Sequence, residues 1–95
     1  MKEALIVNKI KAALKSRGAY VIKTHGSPAS AGVADLLVCY EGKFIALEVK
    51  RPETRGTVTP RQQAHLDAVA AAGGISAVVT SVEEAEDLLW PETFH

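Results

Sequence analysis

The chain has 95 residues, 11 basic and 11 acidic side chains that cancel to zero net charge, and 47% apolar residues. That balance fits one globular domain, residues 1–95, with a modest core; with its single cysteine it excludes a disordered tail, a collagen-like repeat and a disulfide-built miniprotein. The charge is laid out unevenly: residues 1–61 hold every basic side chain and net +6, while residues 62–95 net −6, a split that suits one end of the molecule to a polyanion.

Residues 2–16 read as a helix, because Ile6, Val7, Ile10, Ala13 and Leu14 fall on one stripe and Gly18 follows as a stop. Glu3 lies on the same stripe. It is either an acid facing the interior, where it needs a partner, or a first-turn acid favoured by the helix dipole. Residues 19–24 form a strand, and residues 25–34, with two Gly, two Ser and a Pro, form a loop. Residues 35–40 and 43–50 are strands around a tight turn at Glu41-Gly42, and Pro52 marks the end of the second. Cys39, in an apolar run, reads as a small buried hydrophobe.

After a polar loop at 51–58, Thr59-Pro60-Arg61-Gln62 opens a helix, with Thr at the N-cap, Pro at N1 and Gln at N3. It runs to about Ala72, where Gly73-Gly74 stops it. Residues 75–80 are a strand, and Ser81 with Glu84 reads as a capping box for a last helix to about Trp90. Leu88, Leu89, Trp90 and Phe94 either cap the core or offer an interface. The order αβββαβα predicts an α/β fold with a mixed sheet flanked by helices, closed by a short C-terminal helix. No apolar stretch reaches the roughly 18–20 residues of a membrane span, and Asn8, Lys9 and Lys11 break the pattern of a signal peptide. Together with the lone cysteine, this points to a reducing, cytoplasmic setting.

The hairpin carries the chemistry. With Glu41 and Gly42 as the turn, paired positions sum to 83, so Leu36 meets Leu47 and Asp35 meets Glu48. Two carboxylates then stand with Cβ atoms roughly 4.5–5.5 Å apart in a partly dry setting. Either one is protonated or a cation lies between them. Lys50, two residues on, projects from the same face. The trio is either a site for a hard divalent cation such as Mg²⁺, with Mn²⁺ tolerated, or a solvated strand end bridged by an ordinary salt bridge. His65 and His95 have no ligand spacing with Cys39, which excludes a zinc site.

The segments Gly32-Val33-Ala34-Asp35 and Glu48-Val49-Lys50-Arg51-Pro52, followed by Thr59-Pro60-Arg61-Gln62-Gln63, resemble the PD-(D/E)XK nucleases, and within them the VRR-NUC branch. The resemblance covers nearly the whole chain. It implies the restriction-endonuclease-like αβββαβ core and a metal-dependent DNA endonuclease. Asp35 and Glu48 would be the metal-binding carboxylates, the Val49 carbonyl a further ligand and Lys50 the catalytic lysine. Glu3 would match an acid on the family's first helix, and Gln62 its glutamine after the catalytic strand, although capping explains Gln62 equally well. Ala34 departs from the proline often found before the aspartate. The stand-alone members also resemble Holliday junction resolvases, which implies a homodimer acting on branched DNA. DNA contacts are expected from Lys23, His25 and Ser27 on one side of the site and from Arg51, Arg55 and Arg61 on the other. The alternatives are a non-catalytic nucleic-acid-binding module on the same fold, or a small α/β protein-interaction domain.

Overall fold

The computed structural model describes residues 1–25 and 31–91. The elements follow in the expected order: α1 (Glu3–Ser16), β1 (Tyr20–Lys23), β2 (Leu36–Tyr40), β3 (Lys43–Val49), α2 (Pro60–Ala71), β4 (Ile75–Val79) and α3 (Val82–Leu89). A short 3₁₀ turn, Pro52–Thr54, interrupts the loop after β3. The four strands form one sheet in the order β1-β2-β3-β4. β1, β2 and β3 are an antiparallel meander, and β4 returns parallel to β3 after the α2 crossover. No helix among the described residues is long and apolar enough to cross a membrane.

The hairpin register is the one expected, from Leu36 opposite Leu47 through Tyr40 opposite Lys43. Its turn uses Glu41 and Gly42, both at positive φ (49° and 78°), as a two-residue turn matched to strand twist requires. One difference concerns where β2 begins. The ladder ends at Leu36, and Asp35 lies just outside it, because its carboxylate accepts the Val49 N–H (2.8 Å).

Alternation along the strands sorts the side chains onto two faces. Val21, Leu36, Val38, Ile45, Leu47, Val49 and Val79 turn toward α1 and α3, where they meet Ile6, Val7, Ile10, Leu14 and Ala85 in the main core. Leu88, Leu89 and Trp90 pack on this core, so they cap it as one of the two expectations had it. Trp90 meets the edge of Tyr40 with ring centroids 5.0 Å apart, and the Arg17 guanidinium lies 3.9 Å above its ring. Phe94 is outside the described residues.

Among the described residues the opposite face is covered by α2 alone, through a small cluster of Ala34, Ala46 and Leu66 flanked by Leu37, Val69 and Val78. One helix shields only half of a four-stranded sheet. The row Tyr20, Cys39 and Phe44, aligned across β1, β2 and β3, is left exposed. Cys39 is therefore not the buried hydrophobe expected: an apolar run shows that a strand is covered on one face, and Cys39 points to the other.

Candidate active site

The hairpin and the sheet edge converge on Asp35, Glu48 and Lys50. Asp35 is fixed from both sides. Its backbone carbonyl accepts the Thr24 N–H (2.9 Å), and the Thr24 hydroxyl bonds the carbonyls of Ala34 (3.0 Å) and Asp35 (3.3 Å). A strand residue presents its N–H and C=O to the same neighbour. Since the Val49 N–H goes to Asp35 Oδ2, the Val49 carbonyl opens toward Asp35 as well, whereas the Lys50 N–H turns the other way, to Val79 O (3.0 Å).

Glu48 shares the face of Ala46 and α2 and is only 3% exposed. Burial is the largest influence on it. The Asp35 charge pushes in the same direction, Lys50 opposes, and a hydrogen bond with Asp35 and the Glu3 charge add to the rise; the carboxyl is raised from 4.5 to about 7. The Lys50 ammonium stands 3.7 Å from Glu48 Oε2, with both side chains largely enclosed. The three groups foreseen to share a face thus meet. Glu3, half-buried at the start of α1, makes its charge felt at Glu48, although no side-chain bond joins them.

Gln62 caps α2. Its Oε1 accepts the Thr59 N–H (2.9 Å) while Thr59 Oγ1 accepts the Gln62 N–H (3.1 Å). Its carbonyl oxygen is thus engaged in the cap that the capping explanation describes. Arg61, one residue earlier, lies against Gly32, where an added Cβ would come within 2.7 Å of Arg61 Cγ. With φ at +87° there, glycine is required both for the turn and for this close approach. The approach brings the start of α2 against the loop that leads to Asp35.

Of the residues expected to meet DNA, Arg51, Arg61 and His25 are exposed. Lys23 Nζ donates to Asn8 Oδ1 (3.3 Å). Arg55 turns toward α3, where it donates to Thr80 Oγ1 (3.0 Å) and to Glu84 Oε2. Ser27 lies outside the described residues. Glu84 does not complete the expected capping box. Ser81 accepts the Glu84 N–H (3.1 Å), but the Glu84 carboxylate reaches one residue further back, to the Thr80 N–H (2.6 Å). Two participants were missed from sequence: Thr24, which anchors Asp35, and the Arg55–Thr80–Glu84 group. Thr24 could have been found, because it is the next pair in the β1–β2 register. A cavity of about 430 Å³ lies between α1, the 3₁₀ turn and the start of α3, but neither carboxylate of the pair nor Lys50 lines it.

No family model matches the chain, and no curated protein matches it. Among solved structures, a "VRR_NUC domain" 24% identical in sequence superposes with a TM-score of 0.74 over 98% of this chain and 97% of its own. The chain therefore has the fold of a VRR_NUC domain across nearly its whole length.

Proposed function

We propose that the chain is a metal-dependent DNA endonuclease that hydrolyses phosphodiester bonds, with Asp35, Glu48 and Lys50 as its working side chains. The observation that supports this most is the carboxylate pair. Glu48 is buried against Asp35 and holds its proton to about pH 7. Two acids so placed repel unless a proton or a cation is shared between them. Together with the Val49 carbonyl they offer hard oxygen donors. Among the described residues no third His, Cys, Asp or Glu joins them in a cluster. Mg²⁺ suits that set, since it is usually held by one or two carboxylates, with waters and substrate phosphate completing its shell. Mn²⁺ accepts the same donors.

Bound there, the metal supplies charge stabilisation to the scissile phosphate and a water of lowered pKa. The chain supplies the rest. Thr24 and the Val49 N–H hold Asp35 in one orientation. Glu3 adds negative charge from α1. The Lys50 ammonium is placed to offset charge growing on the phosphate or to position the nucleophile. Arg51, Arg61, His25 and Lys23 flank the site as DNA contacts, with a salt dependence set by the phosphates they neutralise.

The reading extends to branched DNA cut by a homodimer in the cytoplasm. One chain measures 35 × 32 × 22 Å, about one turn of duplex, and its described residues hold one such carboxylate pair. Paired cuts across a four-way junction need two sites, which a two-fold dimer provides.

Incubating the purified protein with a labelled four-way junction and a matched linear duplex tests this, in Mg²⁺, Mn²⁺ or EDTA. The expected result is cutting with either metal, none in EDTA, and preference for the junction. Binding without cutting under every metal would overturn it in favour of a non-catalytic module.

A further inference from the structure

The chain that leaves β3 is tied back to β4 and α3 by the Arg55 side chain. Beyond Val49 the parallel ladder continues for a single residue, through Lys50 N–H to Val79 O (3.0 Å). The chain then turns. The Thr54 N–H and hydroxyl both return to the Arg51 carbonyl (3.0 and 3.3 Å), and the Thr57 N–H and hydroxyl close on Thr54 O (3.0 and 2.7 Å). From the middle of this turn Arg55 reaches across to β4 and α3. Its guanidinium donates to Thr80 Oγ1 (3.0 Å), to Val78 O (3.5 Å) and to Glu84 Oε2. Glu84 uses its other oxygen for the Thr80 N–H (2.6 Å) and hydroxyl (2.9 Å). Thr80 follows Val79, the residue that accepts the Lys50 amide. The bonds therefore close a ring around the point where Lys50 leaves the sheet.

We infer that Arg55 is a positioning residue for Lys50 and not a DNA contact: with Glu84 and Thr80 it clamps the 51–57 turn, so that Lys50 reaches Glu48 in one orientation. This rests on the reading of Lys50 given above. A lysine has a flexible four-carbon stem, so the placement of its ammonium depends on how firmly its backbone is held. On one side Lys50 continues from β3. On the other it continues into this turn, and among the described residues Arg55 links the turn to the sheet. The Glu84 carboxylate stays charged at neutral pH. Partial burial pushes Glu84 up, but the bonds from Thr80 and Arg55, with the Arg55 charge, outweigh it and hold the carboxyl below its usual range.

The test compares wild type, R55Q, E84Q and the double variant R55Q/E84Q in cleavage kinetics, DNA binding and amide hydrogen exchange. An exposed ion pair contributes little to global stability, so all four are expected to fold. Each single variant is expected to lower kcat by about 10–100-fold, the scale of a small misplacement of a reacting group. KM and DNA affinity stay near wild type, and the double variant is no worse than either single one, as befits groups acting as a unit. The Lys50 amide exchanges faster in all three variants.

A DNA contact gives a different pattern. R55Q then weakens DNA binding and lowers the salt slope by about one, while E84Q, which frees Arg55, tightens binding. That pattern overturns the inference, and so does an unchanged Lys50 exchange rate. If wild type cuts no DNA at all, the nuclease reading fails, and the Lys50 exchange rates still decide whether the clamp holds.

Discussion

Lys50→Ala is expected to slow DNA cleavage by at least about 10²–10³-fold, the usual effect of removing a group placed against developing transition-state charge. Asp35→Ala and Glu48→Ala are expected to abolish it at ordinary metal concentrations, because each removes half of the carboxylate pair. The lysine loss acts twice. It removes the ammonium proposed to face the phosphate. It also removes the nearest positive charge from Glu48, which Lys50 holds down against burial and against Asp35, so the Glu48 carboxyl rises further and competes less well for a cation. Saturating metal corrects the second effect and leaves the first. Single-turnover rates over a range of Mg²⁺ concentrations separate the two. Thermal melts check that each variant is folded, and near-normal rates in all three purified variants would sink the assignment.

Glu48→Gln is expected to stabilise the fold above pH 7 and to leave it unchanged near pH 4. The folded carboxyl titrates at about 7 and its ordinary value is 4.5. Below the lower value both folded and unfolded chains carry the proton, so burial has no charge to oppose. Between the two values the unfolded chain releases its proton and the folded one does not, so stability falls as pH rises. Above about 7 the full penalty stands, on the order of 3 kcal/mol. Glutamine keeps the shape and carries no charge. At pH 8 the variant should melt on the order of 10 °C above wild type, and at pH 4 the two should melt together. Adding Mg²⁺ at pH 8 should narrow the gap, since it binds folded wild type and not the variant. A gap independent of pH would show that the charge of Glu48 is not its cause.

Much of this architecture was legible in the residues. Glu41-Gly42 dictates a two-residue turn, the turn dictates the register, and Asp35, one residue beyond the last pair of that register, interacts with Glu48 through its side chain. Thr59 and Gln62 announce the start of α2 as they stand. What stayed hidden depends on which elements cover which face. Cys39 lies in the same apolar run as Val38, but α2 does not extend over it. Arg55 and Glu84 are 29 residues apart, with no periodicity to relate them, and each had a simpler local reading: a surface cation beside the site and a capping carboxylate. The tertiary contact overrode both. Glu3 was left between an interior acid and a first-turn acid, and the structure gives it a share of each, half-buried in the first turn of α1 and close enough to act on Glu48.

The hairpin also bears on the order of folding events. Asp35 and Glu48 are joined by the tightest connection in the sheet, and a hairpin closes in about 1–10 μs. Pairing of β3 with β4 must wait for the longer α2 crossover, which brings up Val79 and the chain around Lys50. The two acids are therefore pressed together before their surroundings are assembled. Both are ionised in the unfolded chain from about pH 5 upward, so their repulsion is present from that step on, and burial adds to it as the surroundings close. The same chemistry that draws a cation to the finished site makes proton uptake part of the route to it, and refolding is expected to be faster just below neutrality than above it, as stopped-flow rates against pH would show.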